Sequence, residues 1–122
     1  MRVRKPAIYL ALFLFHGQAI AQSSYQPRLE GKLKAALEAA RRGECPKPLM
    51  TPLLGFQCRQ QIDKMAAQFI NLGDIRQIEF QGTQSTPSGP AEAYLVRFES
   101  GQMFWLVNTD ADGKLQVLWS PG

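Results

Sequence analysis

The apolar residues of this chain change their spacing once, at Asn71-Leu72-Gly73, and that change dictates the fold class. Before it they recur every three or four residues. Leu33, Ala36, Leu37 and Ala40 make one stripe within residues 29–42, with Lys32, Lys34, Glu38, Arg41 and Arg42 on the other faces. Gly43 ends this helix, and residues 44–52 hold three prolines that cannot extend it. A second helix is predicted over residues 54–71, where Cys58, Ile62, Met65 and Phe69 align on one face. After Gly73 the period is two. Residues 75–81 set Ile78 and Phe80 against Gln77, Glu79 and Gln81, and residues 93–99 set Tyr94, Val96 and Phe98 against Leu95, Arg97 and Glu99. Residues 102–108 are apolar on both faces, which predicts a central strand, and residues 115–119 supply the last one. Residues 83–90 read as a loop by composition, and Ser100-Gly101 as a tight turn. Short links imply an α+β domain: two N-terminal helices packed on one face of a curved four-stranded antiparallel meander.

The first residues belong to a different physics. Arg2, Arg4 and Lys5 precede the apolar run of residues 7–15, and Ala19-Ile20-Ala21 follows it. A basic start, a short apolar segment and an A-x-A site describe a secretory signal peptide, cut between Ala21 and Gln22. Nine apolar residues do not span a bilayer. Gln22 in place of Cys predicts no lipid anchor, so a periplasmic or secreted product is expected. The chain divides into a signal peptide (1–21), a polar flexible lead-in (22–28) and one domain (29–122). The leader takes three of the fourteen basic residues and no acidic one, so the net charge falls from +4 to +1. With the phosphate-binding charge gone, nucleic acid is not an expected partner.

The leader also takes His16, the one histidine. Without it a Ser-His-Asp triad, a Cys-His pair and His-ligated metal sites are excluded from the mature chain. No phosphate-cradling glycine motif, nucleophile elbow or S-x-x-K pattern is present. No catalytic residue, metal site or cofactor is therefore predicted. The acids left for general acid–base work are Glu30, Glu38, Glu44, Asp63, Asp74, Glu79, Glu92, Glu99, Asp110 and Asp112. Their flanks are mostly polar, and the alternation puts Glu79, Glu92 and Glu99 opposite the apolar positions or near strand ends, as solvated charges. Residues 108–113 (NTDADG) imitate the opening of a calcium loop, but Trp119 stands where the bidentate Glu belongs. Asp112-Gly113 between apolar runs is better explained as a hairpin turn.

Cys45 and Cys58 allow one pairing, and an oxidising compartment favours it. The bond would close a proline-rich segment between the helices. Twelve intervening residues do not make an exchange motif, so the expected role is a structural staple rather than redox chemistry. Phe80, Phe98, Phe104 and the other strand aromatics serve either as core or as pocket wall. The candidate pocket is Phe80, Tyr94, Trp105 and Trp119, with Tyr94 and Arg97 as polar fixings.

The run Leu72-Gly73-Asp74-Ile75, Ile78-Glu79-Phe80-Gln81-Gly82, residues 92–101 (EAYLVRFESG), Trp105 and residues 110–115 (DADGKL) resembles a small bacterial helix-then-meander domain. That domain is similar to the cystatin-like and nuclear-transport-factor-two-like cone folds. It occurs alone in exported proteins and appended to serine hydrolases of the penicillin-binding and β-lactamase type. The likeness runs from about Leu29 to Trp119; the long Cys45–Cys58 connection departs from it. It implies an exported, non-catalytic binding or accessory domain of the cell envelope, taking a small ligand or an envelope protein. Two further readings stay open: a small cone-fold enzyme using a pocket carboxylate or Tyr94, and a structural module that pairs with a second copy through its apolar sheet face.

Overall fold

The computed structural model describes residues 26–122; the proposed signal peptide and most of the lead-in lie outside the described residues. Helix α1 is Glu30–Arg41 and helix α2 is Pro52–Leu72, joined through a short 3-10 turn at Lys47–Leu49. Four strands follow: β1 (Ile75–Thr86), β2 (Gly89–Phe98), β3 (Gly101–Thr109) and β4 (Leu115–Trp119). They pair antiparallel in the order β1-β2-β3-β4. The expected α+β arrangement, helices before a four-stranded meander, is therefore present, with the apolar β3 inside the sheet.

Both helices pack on one face of the sheet. From α1 come Leu33, Ala36, Leu37 and Ala40; from α2, Leu54, Cys58 and Phe69. They meet Tyr94, Val96 and Phe98 of β2, Met103, Trp105 and Val107 of β3, and Leu115 of β4. Phe69 anchors the far end of α2, with its ring centroid 6.0 Å from Phe98 and 6.3 Å from Trp105. The opposite face carries a smaller cluster of Ala91, Ala93 and Leu106, with Phe104 packed on it.

Local chemistry explains where the elements end. Thr51 caps α2 by accepting the Leu54 N–H on its side chain, and Pro52 occupies the first turn, where its missing N–H costs nothing. This moves the start of α2 two residues ahead of the position expected from hydrophobic spacing alone. Gly73 closes α2 at φ 86° and ψ −161°, a conformation essentially restricted to glycine. The connection between the helices is tied down at two places, by the disulfide and by a β-bridge to β4. Cys45 and Cys58 are disulfide-bonded with Cα atoms 6.0 Å apart, Met50 bridges Leu115, and the Thr51 N–H donates to the Leu115 carbonyl.

The segment 83–90 is not a loop. β1 continues to Thr86 and turns through Pro87-Ser88 into β2, with Thr83 opposite Glu92 and Gln84 opposite Ala91. Composition misleads here because Thr and Gln pair well along a sheet, while Pro87 presets the turn and Gly89 supplies φ 105°. The Thr86 hydroxyl donates to the Gly89 carbonyl and accepts the Ser88 N–H, closing the turn. At the other hairpin, Asp110 Oδ1 accepts the N–H groups of Asp112 and Lys114, so the calcium-like sequence is a side-chain-braced turn. Among the described residues no cluster of potential metal ligands forms, and no helix is long and apolar enough to cross a membrane.

Candidate functional site

α2 is fastened at both ends, and between them Ile62 and Met65 pack on the core without being fully covered. Cys58 and Phe69 are buried, whereas Ile62 and Met65 are only half-buried. Beneath this stretch lies a cavity of about 440 Å³. Its walls are Ala36, Leu37 and Ala40 from α1, Leu54, Cys58, Met65 and Phe69 from α2, Met50 from the connection, and Met103, Trp105 and Leu118 from the sheet. Gln57, Gln61 and Gln68 enter from α2, and Trp119 and Ser120 complete the lining. No residue in that lining carries a charge.

Trp105 stands out chemically. It is 5% exposed, and its indole Nε1 is the buried side-chain polar atom without a hydrogen-bond partner among the described residues. Leaving a buried donor unpaired costs on the order of 1–3 kcal/mol. Native structures tolerate few such groups, and they concentrate where a ligand, water or strain has a role.

A second recess, about 380 Å³, opens at the start of α2 between Lys47, Arg59 and Lys114. Met50, Thr51, Pro52 and Gly55 make up the rest of its lining.

Of the residues expected to form a pocket, Trp105 and Trp119 line the larger cavity. Phe80 and Tyr94 sit edge to face at 5.6 Å in the core and line neither cavity. Arg97 lies on the other face of the sheet, in reach of Glu79 at 3.4 Å and Gln102 at 3.0 Å. The methionines and glutamines of the cavity were not foreseen. Gln57, Gln61 and Gln68 recur at helical spacing beside the apolar stripe of α2, and that neutral polar row is the signal that marks the rim.

Glu92 departs most from expectation. It was expected on the solvated side of its strand, yet it shares the core face with Tyr94 and is 3% exposed. The reason is a helix end. α1 begins at Leu29 with no side-chain cap of its own. Glu92 Oε1 accepts the Leu29 N–H at 2.9 Å and the Tyr94 hydroxyl at 2.6 Å, and both carboxylate oxygens accept the Arg28 N–H. A strand residue thus caps a helix 63 positions earlier in the chain, and its negative charge faces the positive end of the helix dipole. Burial, then the hydrogen bond to Glu92 and its charge, push the Tyr94 hydroxyl well above the usual tyrosine range.

Compared with known proteins, the chain matches no family model, no curated protein and no solved structure.

Proposed function

We propose that the chain is exported, loses residues 1–21, and acts in the cell envelope as a non-catalytic binding domain that holds a small apolar molecule beneath α2. One observation carries this reading. The cavity of about 440 Å³ has uncharged walls and falls within the roughly 300–1,000 Å³ typical of small-molecule sites. The disulfide supports the export step, since such bonds persist in oxidising compartments. The chemistry of the one buried carboxylate among the described residues favours binding over turnover: Glu92 is committed to Tyr94 and to the start of α1, away from the cavity. Helices on one face of an antiparallel meander suit the cone-type parentage that the sequence resembles, and we retain cystatin-like or nuclear-transport-factor-two-like ancestry as part of the proposal.

The test uses residues 22–122, oxidised, with a panel of neutral apolar compounds followed by calorimetry and thermal shift. One saturable site is expected in the wild type and its loss is expected in Met65→Trp, which fills the space under α2. No saturable binding in the wild type, or equal binding in the filled variant, overturns the reading. N-terminal sequencing of the exported product should begin at Gln22; an intact Met1 refutes the export step.

A further inference from the structure

We infer that the start of α2 is a docking surface for an anionic lipid bilayer: Lys47, Arg59 and Lys114 receive lipid phosphate at the recess they border, while Leu53 and Phe56 enter the apolar layer beside it. Neither Leu53 nor Phe56 lines the larger cavity, so this surface goes beyond the binding reading above and does not depend on it.

The three cations are remote in sequence, and the ties of the fold gather them. The disulfide holds Cys45, just ahead of Lys47, to Cys58, the neighbour of Arg59. The bond from the Thr51 N–H to the Leu115 carbonyl sets Lys114 beside the same helix start. All three line the recess of about 380 Å³. Arg59 is turned back over Gly55, a residue of that lining, where an added Cβ would stand 3.3 Å from the guanidinium Nη1. Among the described residues Arg41, Arg42, Arg76 and Arg97 form ion pairs, and Lys47, Arg59 and Lys114 do not. Glu44, Asp63 and Asp112 are the acids nearest to them along the chain, and none belongs to the lining. Cations gathered in this way without an acid favour an anionic group between them.

The apolar neighbours decide what carries that anionic group. Leu53 and Phe56 are 67% and 53% exposed in the first turns of α2. Phe56 follows Pro52 by four residues and precedes Arg59 by three, and both of those line the recess. Helix geometry therefore sets Phe56 along the border of the recess, with Leu53 one turn before it on the same side. A free phosphate ion has no use for such neighbours. A membrane interface does, because it offers headgroup charge and hydrocarbon within one short step of each other. Long basic side chains suit that step, since their stems lie along apolar surface while their heads stay with the phosphates. Among the described residues no helix is long and apolar enough to cross a membrane, so the contact is peripheral.

Co-sedimentation with vesicles tests this on the oxidised mature chain. Phosphatidylglycerol vesicles should carry it down, phosphatidylcholine vesicles should not, and added salt should release it. Lys47→Gln, Arg59→Gln and Lys114→Gln should each weaken binding about fivefold. Leu53→Ser/Phe56→Ser changes two exposed positions and should weaken it by at least about tenfold. Lys34→Gln removes the same charge from α1 and should do less than any of these. An equal loss in Lys34→Gln assigns the binding to net charge and overturns the site. Undiminished binding in Leu53→Ser/Phe56→Ser, or release by soluble glycerol phosphate at matched phosphate concentration, means that the recess takes a free anion and overturns the bilayer. No binding to phosphatidylglycerol, or equal binding to phosphatidylcholine, refutes the inference outright.

Discussion

Removing the Glu92 carboxylate is the most direct test of how this small domain is held together. In Glu92→Ala the Leu29 N–H and the Tyr94 hydroxyl lose the oxygen they now meet at 2.9 and 2.6 Å. Both groups are buried, Tyr94 completely. Arg28 is exposed, so water can replace its share. An orphaned buried donor costs about 1–3 kcal/mol, which puts two of them at roughly 2–6. Relief of the desolvation that a buried carboxylate endures offsets part of this. A loss of about 3 kcal/mol is expected, a large share of the stability of a domain this size. Urea unfolding of the oxidised mature chain would register it as a midpoint lowered by about 1–2 M, at a slope of roughly 1.5–3 kcal/mol/M. Glu92→Gln retains an acceptor and loses charge assistance, so it should cost less than half as much. With Tyr94→Phe as the second member of a double-mutant cycle, the coupling should be about 1–3 kcal/mol. A Glu92→Ala protein within 0.5 kcal/mol of wild type, or a cycle that is simply additive, refutes the account of Glu92 as the cap of α1.

The disulfide closes a loop of 13 residues' separation, so the Cys45→Ser/Cys58→Ser double variant should lose about 3 kcal/mol by the loop-entropy estimate, measured by denaturant unfolding beside the oxidised wild type. Gly73→Ala should be among the most damaging substitutions outside the core: the backbone there is glycine-only, and an added Cβ would stand 2.9 Å from Glu99 Cβ. Strain and clash together predict about 2–4 kcal/mol, seen as a lowered unfolding midpoint; a neutral result would show that the α2–β1 corner relaxes. Tyr94 gives a pH dependence whose sign is fixed by its raised folded pKa. Its contribution is complete below about pH 10, where the unfolded tyrosine is still protonated, and falls as pH rises above that value. By pH 11 wild type should have lost about 1 kcal/mol more than Tyr94→Phe. Equal alkaline losses in the two proteins would contradict it.

How far the sequence reached differs between the fold and the site. Period alone separated helices from strands, since Leu33, Leu37 and Cys58 recur at helical spacing while Tyr94, Val96 and Phe98 alternate, and all face one core. The sequence also gave one possible partner to each cysteine. Where it misread, a long-range partner changed the meaning of a local pattern. Thr83 and Gln84 look like loop until Glu92 and Ala91 are laid beside them. Glu92 itself reads as a solvated charge next to Ala91 and Ala93, because nothing nearby in sequence announces that Leu29 needs an acceptor. The cavity was half legible. Trp105 and Trp119 are conspicuous as large aromatics, but a void is a property of spacing between elements, and no residue pattern encodes the distance at which α2 crosses the sheet.

That distance follows from the anchors of α2. Near its start the helix is fixed by the Thr51 N–H on Leu115, by Leu54 in the core and by the bond from Cys58 to Cys45. Near its end Phe69 lies against Phe98 and Trp105, and the Gly73 corner hands the chain to β1. Between them Ile62 and Met65 face the core, and the exposed Gln57, Gln61 and Gln68 stand along the rim of the cavity, where their amides keep their hydration. Met65 is half-covered and lines a cavity about 440 Å³ in volume. Apolar walls left uncovered along such a cleft forfeit contacts that packed side chains would make. The staple at one end and the aromatic stack at the other offset that loss without closing the space.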